Sequence, residues 1–219
     1  MFPQAALVDP ELTLTVPPDM TAATGMDALA QLVEPFVSVR ANPLTDAMCR
    51  DGIALVSRSL KRAFADGLDV AAREDMALAA LLSGMALTNA GLGAVHGLAA
   101  ALGGLRDAPH GALCARLLPA VMAVNIRILG RHEPAGRSLQ RYAAAASILA
   151  GSEGAKAEDG VRWVEQLVGE LGIPPLRDLG FSRADFEDAC ARAARASSMQ
   201  GNPVTLGDDE LREILEKAL

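Results

Sequence analysis

The sequence predicts an all-α protein, a multi-helix bundle preceded by a short extended N-terminal arm. Three observations carry that reading. Hydrophobic residues make up 51 % of the 219-residue chain but aromatic residues only 3 %, so the core must be built from Ala, Leu, Val and Met. Ala and Leu are strong helix formers, and small side chains let helices approach closely; a β-sandwich needs more aromatic and β-branched residues. From Pro18 onward apolar residues recur at helical spacing, and helix start and stop signals punctuate most of the pattern.

The first 17 residues differ. Ala5-Ala6-Leu7-Val8 before Asp9-Pro10 reads as a short strand ending in a turn, and Leu12–Val16 alternates with period two until Pro17-Pro18 stops it. A lone strand cannot satisfy its own backbone groups. The segment is therefore expected as an extended arm, or as a strand whose sheet lies elsewhere.

The first helix is expected over about 25–36, with Met26, Leu29, Leu32, Val33 and Phe36 sharing a face. Asn42-Pro43 supplies a cap and a proline at the first helical position. The helix it opens runs to about Ala65, with Ile53, Val56, Leu60 and Ala63 on one stripe, and Asp66-Gly67 ends it. A third helix over about 70–89 is apolar nearly all round from Met76 to Leu87, which predicts a central position. The turn Ala90-Gly91-Leu92-Gly93 leads to a short helix over about 94–102. His110 opens a long helix to about Leu129, with a kink expected at Pro119. Further helices are expected at 137–150, 157–172, 183–197 and 207–218, and Gly151–Gly160 as a flexible loop. Asp208-Asp209-Glu210 places negative charge where a helix N-terminus favours it.

The net charge of −7 and the lack of a basic run argue against a nucleic-acid partner. Cys49, Cys114 and Cys190 are three in number, without a CxxC pair. They read as buried small hydrophobes in a reducing cytoplasm. No basic, apolar leader opens the chain, and no charge-free apolar run of about 18 residues occurs, so no membrane span is expected.

Few residues can carry chemistry. Of three histidines, His132 falls in the polar stretch Gly-Arg-His-Glu-Pro and reads as surface. His96 lies among small apolar residues and His110 opens an apolar helix, so both are expected to be poorly hydrated. A buried imidazole needs a partner, such as a carboxylate or a metal; spacing alone leaves an ordinary core histidine the simpler reading. Asp27 stands in an otherwise apolar helix start, and Gln31, four residues on, points the same way. Asp27 would either cap its own helix or need a buried partner. Gly91-x-Gly93-x-x-x-Gly97 looks like a dinucleotide fingerprint but follows a helix rather than a strand. Its glycines read as a tight turn between packed helices.

Taken in order, four stretches resemble the C-terminal half of the iron-type (group III) alcohol dehydrogenases. They are Pro17-Pro-Asp-Met-Thr-Ala-Ala-Thr-Gly-Met-Asp-Ala-Leu, Asn42-Pro-Leu-Thr-Asp-Ala, Asn89-Ala-Gly-Leu-Gly-Ala-Val-His-Gly and Ala108-Pro-His-Gly-Ala. The resemblance implies the helical C-terminal domain of a dehydroquinate synthase-like fold over 18–219. Residues 1–17 would correspond to the end of a nucleotide-binding domain that otherwise lies upstream of Met1, making Met1 an internal start.

The resemblance also implies that Asp27, His96 and His110 stand at three metal-ligand positions, for Fe2+ or Zn2+. Gln31 takes the place of the family's fourth ligand, a histidine, and would be a weak or outer contact, since a neutral amide oxygen suits hard cations better than zinc. Ala100 takes the place of a second family histidine beside the nicotinamide. Metal affinity should fall accordingly. A complete protein of this kind would oxidise alcohols or reduce aldehydes and ketones with NAD(P). Residues 1–219 alone are expected to hold no NAD(P) and to show no dehydrogenase activity. The alternatives are a stand-alone helical pseudoenzyme or assembly partner, prone to homodimerise, and half of a split enzyme completed by a separate nucleotide-binding domain.

Overall fold

The structure is a computed structural model and describes residues 4–219. Among these, nine α-helices follow one another and no strand occurs: α1 Pro18–Val37, α2 Pro43–Ala65, α3 Val70–Ala90, α4 Ala94–Gly103, α5 His110–His132, α6 Arg137–Ala150, α7 Ala157–Glu170, α8 Phe186–Ala193 and α9 Asp208–Ala218. Helices α1 and α5 form the centre. α1 is flanked by α2, α3, α5 and α6, and α5 by α1, α4, α7 and α9. Leu29, Leu32, Phe36, Leu113, Leu117 and Met122 are among the side chains that fill the space between them.

Local chemistry explains most boundaries. The Asn42 side chain accepts from the backbone of Leu44 and Thr45, while the Thr45 hydroxyl accepts from Asn42 N–H, closing a reciprocal cap. Asp69 caps α3 through Ala72 N–H. Past α7, Gly172 takes φ +66°, and Ile173 N–H returns to the Val168 carbonyl, so the helix stops short of the expected 172. The glycine at Gly52 lets α1 and α2 meet, since a Cβ there would lie 2.5 Å from Leu32 Cδ2.

Four expectations need correction. Residues 12–16 form no strand; Pro10–Thr13 is a 3-10 turn capped by Asp9, whose carboxylate accepts from Glu11 N–H, and Thr13 closes it on the Pro10 carbonyl. Local capping supplies the backbone partners that an absent neighbouring strand would have given. The arm is fixed instead by buried Arg73, which donates to the carbonyls of Val16 and Gly67 and to the Thr21 hydroxyl. The first helix begins seven residues earlier than expected, at Pro18, with Pro17 as its extended cap.

Helix α3 is not central. It packs one side on α1 and α2 and leaves Leu78, Leu81 and Met85 exposed on another. Apolarity all round therefore marks an uncovered face here rather than burial on every side. The single helix expected over 183–197 is broken into a 3-10 turn, Arg183–Asp185, then α8, then a second 3-10 turn, Ser197–Gly201. That second turn packs on α4 and delivers Asn202 to its N-terminus. Pro119 lies inside α5 without ending it, and α5 is the one described helix long and apolar enough to cross a membrane, with most of it buried in the bundle.

Candidate metal centre

The centre is built from the middle and second half of α1, the N-terminus of α4 and the first turns of α5. On α1, Asp27, Gln31 and Glu34 follow at i, i+4 and i+7 and so share a face. Opposite them, the chain turns by 100° between α3 and α4, and Gly91 at φ +73° makes the turn. A Cβ at Gly93 would sit 2.9 Å from Glu34 Oε1, so glycine there lets that carboxylate reach the start of α4. Val95 N–H donates to Glu34 Oε1 at 2.7 Å, and Ala94 N–H to Asn202 Oδ1. The glycine-rich turn thus presents a helix N-terminus to an internal carboxylate rather than to a phosphate.

Glu34 also fixes His96. Its Oε2 lies 2.6 Å from His96 Nδ1, which makes Nδ1 the donor and aims Nε2 at Asp27 Oδ1, 3.2 Å away. His110 reaches the same oxygen from the other side, with Nε2 at 3.9 Å. A close helix contact puts it there: a Cβ at Gly111 would fall 2.4 Å from the Ala23 carbonyl oxygen, so α5 starts directly against the α1 backbone. Cys114, one turn further along α5, brings its Sγ within 3.4 Å of His110 Nε2. One donor atom each from Asp27, His96, His110 and Cys114 lie within 4.8 Å of one another.

The electrostatics are those of a cation site. Burial opposes ionisation of Asp27, but the hydrogen bond and charge of His96 outweigh it and hold the carboxyl below its ordinary value. Burial likewise disfavours the His96 imidazolium, yet its bonds to Asp27, Cys114 and Glu34 lift it well above a free imidazole. Burial pushes the Cys114 thiol up to about 12.

Asp27, His96 and His110 therefore meet around Asp27 Oδ1. Gln31 stands beside them, donating its amide N–H to Asp27 Oδ2 at 2.9 Å and accepting from the Ser83 hydroxyl at 2.9 Å. One expectation fails: the His110 side chain is 51 % exposed, because it borders an open cleft of about 570 Å³ lined by Met20, Ile173 and Pro174 among others. His132 is exposed and all three cysteines are buried and free, as expected. Glu34 and Cys114 were not singled out from the sequence. Their signals were there: Glu34 continues the Asp27–Gln31 face, and Cys114 stands at i+4 from His110.

The profile described as "Fe-containing alcohol dehydrogenase family, C-terminal" matches residues 21–219. The chain belongs to this family. It is 39 % identical to a 1,3-propanediol dehydrogenase of Citrobacter freundii, across 99 % of this chain and 55 % of that protein. It is 41 % identical to alcohol dehydrogenase 4 of Schizosaccharomyces pombe, across 100 % and 50 %. The solved structure of an alcohol dehydrogenase from Oenococcus oeni superposes with a TM-score of 0.88 at 38 % identity, covering 96 % of this chain and 54 % of that one. The chain thus spans about half the length of the relatives it matches, and its all-helical fold is that of their C-terminal domain.

Proposed function

We propose that these residues form the metal- and substrate-holding half of an NAD(P)-dependent alcohol dehydrogenase, acting on an alcohol or on the corresponding aldehyde or ketone. The observation that carries this reading is the convergence of Asp27, His96 and His110 at the edge of an open, largely apolar cleft. The donor set fits a divalent ion: one carboxylate and two imidazoles suit Fe2+ or Zn2+. A bound ion would supply Lewis-acid polarisation of the substrate oxygen.

The chain's own residues do the positioning. Glu34 holds the His96 tautomer that points Nε2 into the centre. Gln31 occupies one oxygen of Asp27 and leaves Oδ1 facing both imidazoles. The apolar walls of the cleft beside His110 favour a hydrocarbon portion of the substrate. Hydride transfer needs a nicotinamide held by a nucleotide-binding unit, for which residues 4–219 offer no βαβ element.

The test is domain complementation. Joined to the nucleotide-binding half of a family member, the chain should restore metal-dependent, alcohol-linked NAD(P) reduction, and His96→Ala should remove it. Turnover of NAD(P)H and aldehyde by residues 1–219 alone would contradict the division of labour. A second reading, a role in assembly through homodimerisation or docking of a separate domain, is favoured by the uncovered apolar face of α3.

A further inference from the structure

We infer that Cys114 is the fourth ligand of this metal centre, bound as a thiolate, and that Gln31 stays outside the coordination sphere. The inference rests on the metal-site reading above and deepens it. Gln31 is the residue that sequence position offers, but its amide is committed: the oxygen accepts from Ser83 and the nitrogen donates to Asp27. The group it turns toward the centre is an N–H donor, which cannot ligate a cation. Cys114 is fully buried; its sulfur lies 3.4 Å from His110 Nε2 and within 4.8 Å of donor atoms on His96 and Asp27.

The distances suit one ion. With bonds of about 2.0 Å to nitrogen and oxygen and about 2.3 Å to sulfur, tetrahedral edges are roughly 3.3 Å for N···O and roughly 3.5 Å for S···N. The observed edges are 3.2 Å between Asp27 Oδ1 and His96 Nε2 and 3.4 Å between Cys114 Sγ and His110 Nε2. The edge between Asp27 Oδ1 and His110 Nε2 is longer, at 3.9 Å. A movement of roughly 0.6 Å by the half-exposed His110 brings it to the tetrahedral edge. On binding, the Cys114 thiol proton and the proton on His96 Nε2 pass to solvent as the sulfur–metal and nitrogen–metal bonds form. Thiolate and carboxylate together neutralise a divalent charge in a buried place, and the soft sulfur shifts the preference toward zinc and cobalt relative to iron.

The experiment loads the purified 219-residue chain with cobalt(II) and, separately, with zinc(II). We expect about one ion per chain, an intense near-ultraviolet thiolate-to-cobalt absorption, and a sulfur scatterer at about 2.3 Å in the zinc X-ray absorption spectrum. The absorption should vanish in Cys114→Ser, persist in Cys49→Ser and Cys190→Ser, and persist in Gln31→Leu. The zinc spectrum of the unmodified chain keeps the test independent of whether Cys114→Ser folds. A bound ion with only nitrogen and oxygen neighbours overturns the ligand assignment and leaves the metal-site reading standing. Failure to bind either ion overturns both.

Discussion

Glu34→Gln separates fold from metal binding. The carboxylate is 5 % exposed and serves two partners, Val95 N–H at 2.7 Å and His96 Nδ1 at 2.6 Å. Glutamine keeps the shape and can still accept from Val95. It then turns its amide N–H2 toward His96, where Nδ1 must become an acceptor. The ring proton moves to Nε2, the atom aimed at Asp27 Oδ1, and blocks the lone pair that a metal needs. Two charge-assisted hydrogen bonds become neutral or are lost, a change of about 2 kcal/mol. For a chain of this size that lowers Tm by roughly 4–8 °C. Metal affinity should fall about 10–100-fold, the usual effect of losing such an orienting group. Thermal unfolding followed by circular dichroism gives the first number, and competition with a chromophoric chelator gives the second. Unchanged metal affinity in a folded Glu34→Gln variant would falsify the tautomer argument.

Three further outcomes follow from the same contacts. Gly111→Ala forces a Cβ onto the Ala23 carbonyl; it should cost about 1–3 kcal/mol by overpacking and weaken metal binding by pushing His110 from Asp27, and a variant with full metal affinity contradicts that placement. Arg73→Met removes three hydrogen bonds from a buried guanidinium, which should lower stability by about 2–4 kcal/mol and open the segment before Pro18 to limited proteolysis; an equally resistant arm contradicts the anchoring role. Metal affinity should rise with pH, because His96 and Cys114 both have raised values in the metal-free protein and hold protons that the ion must displace; up to about tenfold per pH unit per displaced proton is expected between about pH 6 and pH 8, and a flat profile in the chelator competition would count against the donor set.

What could be read from the sequence depended on how local its cause was. Helix α2 was legible at both ends because Asn42-Pro43 and Asp66 act within a few residues. Helices α6 and α9 were legible for similar reasons, from periodicity and from the acidic start of α9. The pairing of Asp27 with Gln31 follows from one helical turn. The period-two pattern at Leu12–Val16 misled, because alternation makes a strand only when a neighbour accepts its backbone, and Asp9 and Arg73 supplied other partners. Helix α3 misled because apolar residues all round a helix do not fix how many of its sides are packed, and Leu78, Leu81 and Met85 stay exposed. Burial of His110 depended on where the cleft opens, a tertiary fact. Glu34 and Cys114 were readable by helical spacing, but only once the faces of α1 and α5 were known to oppose each other.

The central claim is that Asp27, His96 and His110 hold a divalent ion. The most direct measurement is the metal content of the purified chain beside that of His96→Ala, both after dialysis against the same zinc- or iron-containing buffer. The structure predicts about one tightly held ion per unmodified chain and a large loss in the variant, since His96 Nε2 faces Asp27 across only 3.2 Å. Equal metal content in the two proteins contradicts the site.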